Sequence, residues 1–391
     1  MLCRREDILH RKSGEKTIPG DEPSDWRIPR QMGSLGLKAM VTGGAGYCGF
    51  HLTCALIQEG IGVVLLDRRQ PKWELPKGAV FFQADVRDYD KVFQASKGID
   101  TVFHLASFGL SGGEQLQKIK EIDSVNVGGT KVVIDVCKAR NISKLIYGSS
   151  VIVVFGGDLV EDGDETLPYF PLEKQTDDYS KSKAIAEQMI LAANGASLHG
   201  GETLQTCALR PSGIYGPGDD KNIPRFINII QNYLLYFTFD TTGTWMNWTH
   251  VSNLIDAYLL ARRALTAERN FIASGQAYFI HDGEKINFFK WTSVLYEKLG
   301  LPKPSLVLPG LVLKIAVTLV EYLYWLLNPI FNFTPLLTRR EVGHLLVTYT
   351  FSIDKARKQL GFHPTKYSLA KVVDDYLQRK SVHEDTGSPS P

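Results

Sequence analysis

The chain is short of several features, each of which would have set its class. Cysteines are few: Cys3, Cys48, Cys54, Cys137 and Cys207 are the five in 391 residues, and no two stand in Cys-x-x-Cys spacing. An odd, scattered set argues against a disulfide framework and a zinc site, and fits a reducing compartment. There is no surplus of one charge, since 44 basic and 42 acidic residues leave a formal net charge of +2. Without a global positive field nothing gathers a polyanion, which sets nucleic acid aside as a partner. The N-terminal stretch lacks the apolar run that a secretory signal needs, so the expected address is the cytoplasmic side and not the exterior. No internal repeat is visible either.

What is present is ordinary globular material, 44% hydrophobic and 22% charged, and long enough for one large core with a smaller second lobe. Residues 1–36 read as a disordered leader carrying Pro19, Gly20 and Pro23, and 381–391 as a polar, Pro-containing disordered tail. Between them, apolar runs alternate with helix-length segments. Strands are expected at Leu37 to Val41, Ile61 to Leu66, Ala79 to Gln83, Thr101 to Leu105, Leu145 to Ser149 and Thr206 to Leu209, with a helix over Tyr47 to Gln58. The fold class is therefore α/β: a doubly wound, Rossmann-type parallel sheet over 37–215. A smaller, mostly helical substrate lobe, with Trp245, Trp248 and Trp291, follows over 216–380.

The segment from Thr42 to Gly49 holds Gly43, Gly46 and Gly49 three residues apart, between a strand and a helix. Gly43 can turn off the strand, Gly46 can let backbone amides approach a pyrophosphate at the helix N-terminus, and Gly49 can bring helix and strand close. Asp67 closes the next strand about twenty residues on, where a carboxylate receives ribose hydroxyls and repels a 2′-phosphate. The expected cofactor is NAD; NADP stays open because Arg68 and Arg69 follow directly.

Tyr179 and Lys183 are four apart at the start of a helical pattern and should share a face. An ammonium ~4 Å from a phenol, at an effective dielectric of ~20, is worth roughly 4 kcal/mol to the phenolate, so Lys183 is expected to bring Tyr179 into proton-exchange range. Ser150, in Gly148-Ser149-Ser150 at a strand's carboxyl end, is the expected hydroxyl partner that holds the substrate oxygen. Tyr179, Lys183 and Ser150 are thus the candidate catalytic set, with Lys183 also free to hold the nicotinamide ribose.

Together these residues resemble the extended short-chain dehydrogenases/reductases, in particular the 3β-hydroxysteroid dehydrogenase/isomerase-like branch, over about residues 38 to 375. The resemblance runs through Thr42 to Gly49, Asp67, the Phe103-His104-Leu105-Ala106 strand, Asn126, Tyr179 with Lys183, Arg210 to Gly218 and Phe351 to Pro364. It implies cofactor contacts at Gly43, Gly46, Tyr47, Gly49, Asp67, Asp85, Val86, Lys183 and Pro211, Asp85 being the family's adenine-contacting aspartate. It implies a homodimer and oxidation of a 3β-hydroxyl, with double-bond isomerisation left open. His104 and Asn126 are expected to be structural, Asn126 with a share in proton relay. Gly148 stands where the family usually has Thr or Ser, and Ser252-Asn253 where it often has Asp.

Aromatic residues and scarce charge around Phe226 to Tyr236 favour a flat, apolar alcohol or ketone over a sugar nucleotide, with Arg225 the main reservation. Residues 305–331 form an apolar segment interrupted by Lys314 and Glu321, seven apart and expected on one helix face. Such a helix would lie on a membrane surface, the endoplasmic reticulum being the membrane considered, or pack at an interface. Two other readings stay open: a non-catalytic dinucleotide sensor, and a sugar-nucleotide epimerase or reductase.

Overall fold

The computed structural model describes residues 36–109, 118–175, 177–233, 237–239, 243–327, 335 and 337–385. The leader (bar residue 36), the end of the tail, residues 234–236 and the end of the apolar segment lie outside the described residues.

Seven strands form one wholly parallel sheet: β1 (Lys38–Thr42), β2 (Gly62–Asp67), β3 (Ala79–Gln83), β4 (Thr101–His104), β5 (Lys144–Gly148), β6 (Gln205–Pro211) and β7 (Gln276–Ile280). Their order across the sheet is β7-β6-β5-β4-β1-β2-β3. Near-continuous apolar runs such as Val63 to Leu66 form the inner strands because helices cover both faces. On one face, α1 (Tyr47–Gln58) and α6 (Val251–Ala264) bury Phe50, Leu52, Leu254 and Tyr258. On the other, α2 (Tyr89–Ala95), α3 (Gly129–Arg140) and α4 (Asp178–Ala192) bury Val92, Val133 and Ile190. The order reverses between β1 and β4, so a crevice opens at the carboxyl ends of the central strands.

The expected strands and first helix are present, α1 and β3 with the same bounds. The boundary at 215 is not a clean cut. β7 completes the sheet from within the region assigned to the lobe, while Val160–Gly163 leaves the first region to join a small lobe sheet with 245–246, 286–287 and 349–351. The lobe has its own core, in which Trp248 and Trp291 stack at 4.5 Å. It contains α5 (Asn222–Tyr233), α7 (Gly310–Leu327) and α8 (Arg339–Leu346). A last helix, α9 (Leu369–Asp385), continues past 381, where the tail was expected to begin. The reason is local: the first helix breakers after Leu369 are Gly387 and Pro389.

Candidate active site

One cavity of about 820 Å³ runs from the glycine turn, past the ends of β4 and β5, to the inner side of α5, α7 and α8. At its sheet end, Gly43 turns with φ +69°, a left-handed conformation that a side chain resists. A Cβ at Gly49 would lie 2.2 Å from the Gly43 carbonyl oxygen, so helix and turn can meet this closely only without a side chain. Gly46 caps α1 without a side-chain hydrogen bond, and the first turn carries no acidic residue. The leading amides of α1 are thus left for an anion at the cavity wall. Asp67 lines the same wall; its carboxylate accepts from Ala45 N at 3.2 Å and Arg69 N at 3.0 Å. Arg68 is drawn away to Glu121 at 3.0 Å and lies over the Phe108 ring.

Tyr47, Ser149 and Ser212 also line the cavity, and each has a buried hydroxyl oxygen with no hydrogen-bond partner among the described residues. Buried polar atoms normally have partners, so this set fits a polar ligand of dinucleotide kind. Pro211 is on the same wall. Three expected contacts, Val86, Asp85 and Lys183, are not. Val86 is core, packed on Gly129, and Asp85 is turned aside, its carboxylate held by Arg87 at 2.7 and 2.9 Å and kept below its usual pKa by that hydrogen bond. Neither side chain lines the cavity.

Asp177 caps α4 by accepting from Ser180 N at 2.9 Å, and so orients the helix that carries Tyr179 into the cavity. Gly109 packs on the Tyr179 ring, where a Cβ would lie 2.6 Å away. Lys183, one turn on, is buried; its ammonium donates to the Gly148 carbonyl and lies 4.4 Å over the Tyr147 ring. This corrects the expected electrostatics. Burial raises the Tyr179 phenol above its usual value, and the leading groups that bring it down are the Ser107 hydroxyl and the Arg340 guanidinium. Lys183 is aimed at the end of β5, and burial lowers its own pKa to about 7. Ser150 lines the cavity as expected, its hydroxyl also capping the short turn Val151–Val153 through Ile152 N at 3.4 Å.

His104 and Asn126 are scaffold, as expected. His104 bonds Thr42 at 2.7 Å and Thr130 at 2.9 Å, and burial holds its pKa down at about 3. Asn126 lies in a π-helical segment, Ser124–Gly128, that aims its amide inward. It accepts from Phe108 N at 2.7 Å and donates to Ser182 at 2.9 Å and the Phe108 carbonyl at 3.0 Å. Its oxygen also receives Ser107 at 3.3 Å. Sequence reasoning missed Ser107 and Arg340. The signal for Ser107 was available, a hydroxyl residue directly after the His104 strand at the sheet's carboxyl edge. Nothing in the sequence brings Arg340 to Tyr179.

The far end of the cavity is apolar, with Ile229, Ile230, Phe239, Leu313 and Leu337 on its wall. Arg225 is neutralised there by Glu341 at 2.6 Å. α7 separates the two charges expected on one face, Lys314 being exposed and Glu321 not. Glu321 is buried and paired with Arg339 at 2.5 Å, while Leu311, Ile315, Leu319, Tyr322, Trp325 and Leu326 face outward. It is the one helix among the described residues long and apolar enough to cross a membrane.

The sequence profile of the 3-beta hydroxysteroid dehydrogenase/isomerase family matches residues 40–310. The chain is 44% identical over 341 residues to the Danio rerio protein named short-chain dehydrogenase/reductase family 42E member 1, covering 87% of this chain and 88% of that one. It is 34% identical over 366 residues to 3beta-hydroxysteroid-dehydrogenase/decarboxylase isoform 1 of Arabidopsis thaliana, covering 88% and 81%. Among solved structures, MoeE5 in complex with UDP-glucose and NAD matches with a TM-score of 0.64 at 25% identity, covering 88% of this chain and 99% of that one. A Thermotoga maritima UDP-glucose 4-epimerase with UDP-glucose matches at 0.66 and 19% identity, covering 88% and 100%, a likeness of fold alone. With the profile spanning more than half its length and relatives matched nearly end to end, the chain belongs to the 3-beta hydroxysteroid dehydrogenase/isomerase family of short-chain dehydrogenases/reductases and is a dinucleotide-dependent oxidoreductase.

Proposed function

We propose that the protein interconverts the hydroxyl and ketone of a flat apolar alcohol, a 3β-hydroxysteroid or sterol-like compound, with NAD. The observation that carries this is the single cavity joining the uncapped α1 N-terminus and Tyr179 to an apolar wall on α5 and α7. A sugar nucleotide would need cations for its diphosphate, and of the three that line the cavity, Lys221, Arg225 and Arg340, the two arginines are engaged by Glu341 and Asp177. Asp67 at the turn and the diversion of Arg68 to Glu121 favour NAD over NADP.

In this reading the α1 amides, Gly43, Gly46, Gly49, Tyr47, Asp67 and Pro211 hold the dinucleotide. NAD, when bound, supplies the acceptor for the hydride that leaves the substrate carbon. Ser150 donates a hydrogen bond to the substrate oxygen and fixes it beside Tyr179. In oxidation the Tyr179 phenolate takes the hydroxyl proton; in reduction the phenol returns it. Lys183 holds the Gly148 carbonyl and so the strand end that presents Ser149 and Ser150. The apolar helix face of α7 rests on a membrane surface, so that an apolar substrate enters beside Leu313 and Leu337 directly from lipid.

The test is reduction of NAD and NADP by the purified, detergent-supported chain across a panel of hydroxysteroids, with Tyr179→Phe in parallel. Loss of a proton-transfer group removes about 10²–10⁴-fold of rate. Cofactor affinity should stay within about twofold of wild type, since the phenol belongs to the proton step. Turnover that survives in Tyr179→Phe, or tight binding of a UDP-sugar in preference to any steroid, would overturn the reading.

A further inference from the structure

The first turn of α8 makes three ion pairs in succession with three different elements. Arg339 holds Glu321 of α7 at 2.5 Å, Arg340 holds Asp177 at the cap of α4 at 3.2 Å, and Glu341 holds Arg225 of α5 at 2.6 Å. Arg339 and Glu341 thereby fix the helix on either side of Arg340. The Arg340 guanidinium lines the cavity and stands 5.9 Å from the centre of the Tyr179 ring. Its pairing with Asp177 is incomplete: Arg340 Nε and Asp177 Oδ2 are both buried without a hydrogen-bond partner among the described residues. We propose that Arg340 is the positioning cation of Tyr179, supplied by the substrate lobe, and that it favours the phenolate while Asp177 sets how much of its charge the phenol feels.

This rests on the reading of Tyr179 as the proton-transfer group, and it assigns to Arg340 the electrostatic part expected of Lys183. The groups around the phenol come from every neighbouring element. Ser107 stands on the β4 side, Cys48 on α1, Tyr147 on β5, Asp177 and Lys183 at the head of α4, and Arg340 on α8 with Glu341 and His344 beside it. Of the two cations, Lys183 is bound to the Gly148 carbonyl and lowered by burial to about 7, so at neutral pH it is only partly charged. A guanidinium keeps its charge throughout the working range. A unit charge ~6 Å away at an effective dielectric near ~20 is worth about two pH units on the phenol, and the Asp177 carboxylate offsets roughly half.

The experiment reads Tyr179 ionisation without any substrate. Tyrosinate absorbance of the full chain is titrated in wild type, Arg340→Gln, Arg340→Lys and Asp177→Asn. Each is paired with the same variant carrying Tyr179→Phe, so that the difference isolates one phenol. Arg340→Gln should raise the midpoint by about two pH units, since Asp177 stays in place, Arg340→Lys should restore most of it, and Asp177→Asn, which keeps the helix cap, should lower it by about one. Where a hydroxysteroid is turned over, the acid limb of the oxidation rate should move the same way in each variant. A structural role alone would change thermal stability and leave the midpoint still. An unmoved midpoint in folded Arg340→Gln, or an upward shift in Asp177→Asn, would overturn the proposal. Should Arg340→Gln not fold, Arg340→Lys and Asp177→Asn still decide it. A silent steroid panel with the midpoints moving as stated would count against the substrate reading alone.

Discussion

Gly148 carries no side chain where the family resemblance implies Thr or Ser, and a buried phenol fills the space. A Cβ there would lie 2.7 Å from the hydroxyl of buried Tyr258 on α6 and 2.8 Å from Leu105 Cδ2. The leucine methyl can swing aside, whereas the phenol sits on a rigid ring in the main core. Gly148→Ser should therefore cost about 1–3 kcal/mol as an overpacked site. Tyr258→Phe removes the obstructing oxygen, so in the double variant the serine should cost at least about 1 kcal/mol less than it does alone. Urea unfolding followed by circular dichroism measures all four corners of the cycle, with an unchanged slope showing that the transition remains comparable. Turnover gives a second reading: the Gly148 carbonyl receives Lys183, so displacing this strand end should lower the rate in Gly148→Ser and recover in the double variant. Serine tolerated at no cost, or strictly additive effects, would refute the argument that Tyr258 has taken the place of the missing hydroxyl residue.

The remaining predictions concern pH and the outer face of α7. Burial keeps His51 and His281 at about 4 and His104, His250 and His344 at about 3, below the ordinary 6.5. The unfolded chain therefore binds protons first, and stability that is full above about pH 6.5 is lost as the pH falls toward these values, by up to about 1.4 kcal/mol per histidine per pH unit. The urea midpoint should drop between pH 7.5 and pH 5.5; an unchanged midpoint would refute the assignment of neutral, buried imidazoles. Replacing outward-facing Leu319 and Leu326 by lysine should reduce co-sedimentation with phospholipid vesicles at least about tenfold while leaving turnover of a soluble substrate intact. Unchanged vesicle binding, or a fall in mass from dimer to monomer with no effect on vesicles, would assign the face to a second copy instead.

The parts legible in advance were those that local pattern specifies. Tyr47 to Gln58 and Ala79 to Gln83 were read to the residue because period, glycines and flanking turns agree there. The Tyr179 helix and the hydroxyls after β5 followed from the same logic. What escaped depends on contacts far apart in sequence. β7 was missed because the βα alternation is interrupted by the lobe before the strand returns to pair with β6. The burial of Glu321 on α7 escaped because its partner, Arg339, lies outside its own helix. The hold of Lys183 on the Gly148 carbonyl escaped because spacing along a helix fixes which face a side chain leaves from, and not where a long chain ends.

The return of β7 bears on how the molecule can be assembled. Until the ribosome has delivered Gln276–Ile280, β6 is an unprotected border strand, its row of amides and carbonyls open to whatever extended peptide is nearby. Nor can α6, which covers one face of the sheet, be in place before α5, which precedes it in the chain, has been made. The nucleotide-binding sheet is thus complete only once the chain has passed through the first part of the lobe and returned. A chain cut before Gln276 is expected to leave the Gln205–Pro211 edge open to pairing with other extended segments.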